Sequence, residues 1–396
     1  MRIGILTYHD EVNYGSLLQA YAMQTALSDL GFQALIIDRW FESKQNRIYG
    51  ILHVRSVKAW IKWWLRVIWG TGAWSLFLRQ WRSRKFIRKY LRLTPYSFHD
   101  CKDAPKDLGL DMLTVGSDQV WHPKSQPQVY LLNELKQVPG IAYAASFGTN
   151  AIPDDKRGLY INGFKNFIAI GIREKEGVEM ARLLGATNPV HVVDPTILVD
   201  PKHWHEFAGE AKPRRKRHIV CYFLSEDYLV LAEKLGRWAK DKGVVVDLFV
   251  QDFSVPFFRF RPCGSKWLRY RKFRLCYPLH FRYAAGPIEF IRSIASADCV
   301  FTNSFHALMF SMIFKKNVRI VKPSAPIRKD MAARMQEFSE TIIQGPLIME
   351  TLDDAFASYE RGQKVSYDEQ ELKRRRTESE MWLKNAIKTA VETTNG

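Results

Sequence analysis

Apolar positions along this chain fall into short runs separated by longer amphipathic stretches, and the two kinds of segment alternate. Residues 2–7 read as a buried strand, followed by a loop at His9–Gly15. A helical pattern runs from about Ser16 to Leu30, Gly31 ends it, and a second strand, Ala34–Ile37, closes on Asp38. Further on, the strand Met112–Val115 runs into Gly116-Ser117-Asp118-Gln119, and Ile141–Ala145 runs into Ser146-Phe147-Gly148. Phe167–Ile172 leads to Arg173-Glu174 and a helix to about Leu184, and Val190–Val193 ends in Asp194-Pro195-Thr196. A charged linker, Glu206–Lys216, precedes a restart of the same rhythm.

The second block reads as strand His218–Phe223, helix Asp227–Asp241 and strand Val244–Val250. Helix Pro287–Ser296, strand Asp298–Phe301, a helix after His306 and strand Asn317–Val321 follow. Two consecutive blocks of alternating strands and helices predict an α/β protein with two Rossmann-like domains. The expected divisions are residues 1–205, carrying a basic, Trp-rich helical insertion at 45–99, then 206–345, then a charged helical tail at 346–396. Ligands in doubly wound sheets sit beyond the C-terminal ends of strands, where every loop just named lies.

Composition narrows the classes. At 396 residues with 46% apolar content the chain is long enough for two cores and too apolar for wholesale disorder. No apolar run has the length of a membrane span, and the N-terminal residues read as a strand rather than a signal peptide. Cys101, Cys221, Cys263, Cys276 and Cys299 are widely spaced without a CxxC pair, the pattern of reduced cytoplasmic thiols and no structural metal. The net charge of +18 is concentrated, since Gln45 through His99 holds twelve Lys or Arg and no Asp or Glu.

Within residues 54–93, Arg55, Lys58, Lys62 and Arg66 recur at helical spacing beside many tryptophans. One reading is a helix lying on an anionic membrane, peripheral to the inner face of the plasma membrane. The other is a helical pair packed on the first domain with a solvated basic edge. A second basic-aromatic cluster spans Arg259–Arg274. No nucleic-acid recognition motif accompanies either cluster, and nucleic acid is not the expected partner.

The richest chemistry lies at residues 297–314, where a short strand breaks at Thr302-Asn303-Ser304 and a helix begins with His306 in its first turn. Such a corner offers unpaired N–H groups to an anion, and an imidazole there can bind the anion or pass a proton. The same residues also fit a plain helix cap. Gly116-Ser117-Asp118 fits a turn and N-cap as well as a ligand contact, and Asp194-Pro195-Thr196 reads as a structural turn. Arg173 is either a site residue or a strand-end arginine paired with Glu174 or Glu176. Asp38 is a weak ribose ligand candidate, because the Asn13-Tyr14-Gly15-Ser16 turn lacks the GxGxxG fingerprint.

Five segments, NYGSLLQAYAMQTAL, VGSDQVWHP, GIREKEGVEMARLLG, VVDPTILVD and TNSFHALMFSMIFKKNV, together resemble the polysaccharide pyruvyl transferase family. The likeness covers roughly residues 1–40 and 110–322. It implies two Rossmann-type domains facing across a cleft, as in GT-B glycosyltransferases. It also implies transfer of the enolpyruvyl unit of phosphoenolpyruvate to two hydroxyls of a surface or extracellular polysaccharide sugar, with no cofactor beyond that donor. By the resemblance, His306 is general acid or phosphate ligand and Arg173 holds the donor's phosphate or carboxylate. Gly15, Ser16, Ser117, Asp118, Gln119, Asn303 and Ser304 line the donor and acceptor, a saccharide either lipid-linked or free. Family members often carry Arg-Leu-His where this chain has Ser304-Phe305-His306, so a donor-binding cation is either lost or supplied from elsewhere, with Lys322 or the 259–274 cluster as candidates. Two other functions use the same features: a nucleotide-sugar glycosyltransferase of the same fold, and a non-enzymatic membrane- or glycan-binding protein.

Overall fold

A computed structural model describes residues 1–9, 13–38, 73–95, 104–125, 127–133, 135, 137–210, 215–224, 228–250, 276–323, 335–338 and 340–395. Most of the basic insertion, including Arg55, Lys58, Lys62 and Arg66, and the 259–274 cluster lie outside the described residues.

The first sheet contains β1 (Arg2–Leu6), β2 (Gln33–Ile36), β3 (Met112–Val115), β4 (Gly140–Ala145), β5 (Phe167–Ile172) and β6 (Val190–His191) in the order β2-β1-β3-β4-β5-β6. Every pairing in it is parallel. The second is built from β7 (His218–Phe223), β8 (Val245–Val250), β9 (Leu279–Phe281), β10 (Cys299–Thr302) and β11 (Asn317–Val321). After β12 (Ile343–Gln344), β13 (Ile348–Met349) completes the order β13-β11-β10-β7-β8-β9, the Rossmann strand order. Each sheet has a switch point where successive crossovers leave in opposite directions, β1/β3 in the first and β7/β10 in the second. A crevice opens at such a point beyond the strand ends.

Buried strands covered by helices on both faces explain the near-continuous apolar runs in the sequence. Helix α1 (Tyr14–Asp29) starts on Asn13, whose side chain accepts from the Gly15 N–H at 3.0 Å. It ends where the Leu30 N–H returns to Ala26 and Gly31 turns the chain at φ +87°. Its residues are buried almost all round, as expected of a helix enclosed on every side rather than lying on a surface.

Aromatic packing ties the halves together. Tyr14 of α1 stacks on Phe290 of a second-half helix (centroids 4.7 Å apart, planes at 8°) and meets Tyr222 and Phe249 edge-on. Its hydroxyl donates to the Ala285 carbonyl. Each aromatic pair adds about 0.5–1.5 kcal/mol beyond the area it buries. Helix α2 (Ala73–Tyr90) spans the same seam, with the buried Arg79 guanidinium over the Tyr14 ring and donating to Val250 O at 2.6 Å. In this part of the insertion the aromatic and basic residues therefore pack inward as well as outward.

The helices that follow include α3 (Asp154–Phe164), α4 (Lys175–Leu183), the single turn α5 (Pro195–Leu198), α6 (Pro201–Ala208), α7 (Tyr228–Lys242), α8 (Pro287–Ala295), α9 (Phe305–Ile313), α10 (Leu352–Glu360) and α11 (Glu369–Asn395). Glu206–Ala208, expected in the linker, belong to α6. Residues after 345 divide between the halves: β13 pairs with β11, whereas α11 returns to cover β4 and β5. Gly171 is the close-approach point, because a Cβ there would stand 2.8 Å from the Trp382 ring.

Candidate active site

The loops after β1, β3, β4, β5, β6 and β10 converge, and their side chains form one polar cluster between the halves. Its hub is Asp194, which the sequence pattern presents as a turn residue. One carboxylate oxygen, Oδ1, does that structural work, accepting from the Thr196 N–H (3.0 Å) and hydroxyl (2.7 Å) at the start of α5. The other, Oδ2, accepts from Ser117 Oγ at 2.7 Å and Arg173 Nη1 at 3.4 Å. It also lies 3.9 Å from His306 Nε2, an ion-pair distance without a hydrogen bond. Capping and site chemistry thus use opposite oxygens of one carboxylate.

Arg173 is buried against two acids, with Nε donating to Glu174 at 3.2 Å and Nη1 shared by Ser117 and Asp194. It is a paired strand-end arginine, its partner being Glu174 rather than Glu176, and the pair sits in the polar cluster. The Phe305 ring lies under its guanidinium at 4.4 Å. Glu174 also accepts from Ser146 Oγ at 2.5 Å. Neither Glu174 nor Ser146 stands out as a site residue in the sequence; only their position at adjacent strand ends hints at it.

Asp118 adopts φ +87°, a left-handed backbone that disfavours side chains by about 1–2 kcal/mol. Its carboxylate accepts from Ser16 Oγ at 2.6 Å and from the Gln119 N–H at 2.8 Å, joining the β1 and β3 loops across the first switch point. Gln119 packs on Gly148, at φ +65°, where a Cβ would meet it at 2.7 Å. Gly15 faces His306: a Cβ on it would stand 2.2 Å from Nδ1, so the imidazole occupies space that only glycine leaves free.

On the second sheet, Asn303 does not face the cluster. Its amide brackets Leu224, accepting from the backbone N–H at 2.6 Å and donating to the carbonyl at 3.1 Å, and so bridges the β7/β10 switch point. Ser304 is the N-cap of α9 but makes no side-chain cap bond; its N–H donates to Thr302 Oγ1. His306 in the first turn is 8% exposed, and its Nε2 has no hydrogen-bond partner. Lys322 pairs with Glu350 on the surface rather than with a member of the cluster.

Electrostatics assign the resting charges. Burial would raise the Asp194 pKa, but His306, Arg173 and the two Thr196 bonds hold it below the usual range. Burial would lower Arg173, but Glu174, Asp194 and Asp118 raise it, so the guanidinium stays charged. His306 goes the other way. Burial lowers its pKa, helped by Arg173 and only partly opposed by Asp194 and Asp118, which makes the resting imidazole neutral. The Arg173 guanidinium therefore stands among Asp194, Glu174 and Asp118, at the N-terminus of α9. Among the described residues there is no group of three or more His, Cys, Asp or Glu suited to a metal ion, and no helix is long and apolar enough to cross a membrane.

A family model described as polysaccharide pyruvyl transferase matches residues 13–324. No curated protein matches the sequence. Among solved structures the chain is similar to UDP-GlcNAc 2-epimerase from Methanocaldococcus jannaschii, determined with UDP-GlcNAc and UDP. The identity is 9% and the TM-score 0.53, over 91% of this chain and 92% of that one. It is also similar to UDP-N-acetylglucosamine 2-epimerase from Rickettsia bellii, at 8% identity and TM-score 0.55 over 100% and 97% of the two chains. The Streptomyces sp. SF2575 glycosyltransferase SsfS6 with thymidine diphosphate aligns over 100% and 99%, at 12% identity and TM-score 0.42. At such identities the likeness to the two epimerases is one of fold, the GT-B arrangement of two α/β units.

Proposed function

Because the chain belongs to the polysaccharide pyruvyl transferase family, we propose that it moves the enolpyruvyl unit of phosphoenolpyruvate onto two hydroxyls of a saccharide, making a pyruvate ketal. The observation that carries this reading is the unpartnered Nε2 of buried His306 at the N-terminus of α9, 3.9 Å from Asp194. A buried polar atom without a partner costs about 1–3 kcal/mol, and a ligand that bonds to it recovers that cost. Helix N-termini attract anions, so a phosphate or carboxylate fits beside the imidazole.

The chemistry needs one proton delivered to the donor's methylene carbon as a sugar oxygen bonds to the neighbouring carbon. The second hydroxyl then bonds to that carbon, the carbon–oxygen bond to phosphate breaks, and inorganic phosphate leaves. Two hydroxyl protons are released; one ends in the new methyl group and the other on phosphate. In this reading His306 carries the transferable proton, which it acquires when an anionic donor arrives beside it. Asp194 stabilises the resulting imidazolium, as a carboxylate near a charged imidazole does. Arg173, fixed by Glu174 and Asp194, faces the donor's anionic groups, and Ser16 and Asp118 face the acceptor hydroxyls. The acceptor is a saccharide, carried on a lipid where the protein works at a membrane face.

The test is thermal stabilisation by phosphoenolpyruvate, UDP, GDP and inorganic phosphate, with His306→Ala and Arg173→Ala alongside. A ligand that binds the native state raises Tm. A shift with phosphoenolpyruvate that His306→Ala loses is the expected result. A shift with UDP or GDP alone would refute the reading in favour of glycosyl transfer on the shared fold.

A further inference from the structure

We propose that the outer face of α2 is a docking surface for an anionic lipid bilayer, independent of the reaction assigned above. The helix is amphipathic in an unusual sense. Its inner face is fixed: Arg79, Ser83, Phe86 and Ile87 are buried, Arg79 donates to Val250 O, and Arg82 donates to Ala284 O and pairs with Glu289 at 3.2 Å. Arg79 and Arg82 reach the second half, Phe86 meets Tyr21 and Phe207 of the first, and together these contacts set the direction in which the opposite face points.

That opposite face holds Trp81, Lys85, Arg88 and Lys89, all exposed, with Phe77 and Arg84 beside them. Together they line a groove of about 460 Å³. Trp81 is 50% exposed and is the sole aromatic among the exposed large hydrophobic residues described. The Lys85 ammonium lies 5.4 Å from the centre of its ring. No acidic residue occurs anywhere in α2.

An exposed tryptophan ringed by cations is poorly placed in plain water, because the ring is wetted and like charges crowd along one stripe. At a membrane interface both are satisfied: the indole sits at headgroup level and each cation near an anionic leaflet gains about 1 kcal/mol. The stripe is four residues apart along one helix face, so its members reach a plane together. A nucleic acid would take the cations but has no use for the fixed apolar groove, and among the described residues no base-reading element adjoins it.

The experiment is sedimentation of the full chain with vesicles of phosphatidylglycerol in phosphatidylcholine, and with vesicles of phosphatidylcholine alone. Binding to the anionic vesicles only, weakened by added salt, is expected. The triple variant Lys85→Glu, Arg88→Glu, Lys89→Glu should weaken that binding about 100-fold or more, at unchanged Tm. Trp81→Ala should weaken it several-fold. Equal binding to both vesicle types, or full binding by the triple variant, would overturn the proposal. So would a Trp81→Ala protein that binds undiminished, or a DNA duplex that binds as tightly as the vesicles.

Discussion

Gly15→Ala puts one methyl group where the His306 imidazole now lies. The added carbon would stand 2.2 Å from Nδ1, 2.6 Å from Cγ and 2.8 Å from Cε1. Ordinary contact needs about 3.4 Å or more, so the ring must retreat by about 1 Å or α1 must shift. Overpacking of this kind costs about 1–3 kcal/mol, offset by the roughly 1 kcal/mol that alanine gains over glycine in a helix. The net change in stability is therefore small, between about zero and 2 kcal/mol of loss. The functional change is larger, because a displaced Nε2 would lose the charged hydrogen bond to the donor that the proposed function assigns to it. That bond is worth about 1.5–3 kcal/mol, or roughly 10- to 100-fold in the Kd for phosphoenolpyruvate. The decisive assay is a double-mutant cycle read by Tm at one scan rate, with donor affinity measured in parallel. In the His306→Ala background the clash is gone, and Gly15→Ala should raise Tm, as Gly158→Ala should in α3, where nothing lies within 4 Å of the new carbon. If Gly15→Ala costs as much with alanine at 306 as with histidine, the contact between these residues is not what requires glycine, and the reasoning fails.

Other outcomes follow from the same cluster. Asp194→Asn keeps the Thr196 cap acceptor but removes the charge facing Arg173 and His306. It should cost about 3 kcal/mol by thermal denaturation and abolish phosphoenolpyruvate stabilisation; an unchanged Tm would deny Asp194 its place as hub. Because His306 has a lowered pKa in the folded state, the unfolded chain binds the proton more readily, and stability falls as pH drops below about 6.5. Asp194, also lowered, adds a further loss only as pH falls below about 4. His306→Ala should flatten the dependence of Tm on pH in the upper window and also shrink the lower one, because His306 is among the groups that hold Asp194 down; an unaltered slope in the upper window would contradict it. Arg376 of α11 donates to Ile197 O at 2.8 Å, and Ser379 accepts from the Val193 N–H at 3.0 Å, so α11 clamps the turn that carries Asp194. Arg376→Ala should lower stability by about 1–3 kcal/mol, seen as a lower Tm, and should also weaken donor affinity; a loss of Tm alone would confine α11 to a structural role.

Much of the molecule was legible along the chain. Met112–Val115, Phe167–Ile172, His218–Phe223 and Asn317–Val321 coincide with their sequence patterns residue for residue, and β1, β4, β8 and β10 differ from theirs by a residue or so at the ends. Buried strands announce themselves because both faces must be apolar, and that needs no knowledge of partners. The cleft loops were equally visible, since they are where those runs stop. Less legible were the roles of individual polar residues. Asn303 and Asp194 both look like turn formers, yet one is spent bracketing Leu224 and the other gathers Ser117, Arg173 and His306. Lys322 had the right charge in the right neighbourhood and turned out to face Glu350.

What the amino-acid sequence settled alone is the inventory: two series of strands, the loops at their C-terminal ends, and a glycine, an arginine and a histidine waiting there. These follow from local rules of burial, capping and backbone sterics that act over a few residues. The tertiary structure decided which of those loops meet. Ser117 and Asp194 are 77 residues apart and Arg173 and Ser117 are 56 apart; only the order β1-β3-β4-β5-β6 and the closure of the second half onto the first bring their atoms within bonding distance. Coulomb and hydrogen-bond energies fall off within a few ångströms, so the charge state of His306 and the partners of Asp194 exist only once that packing has formed.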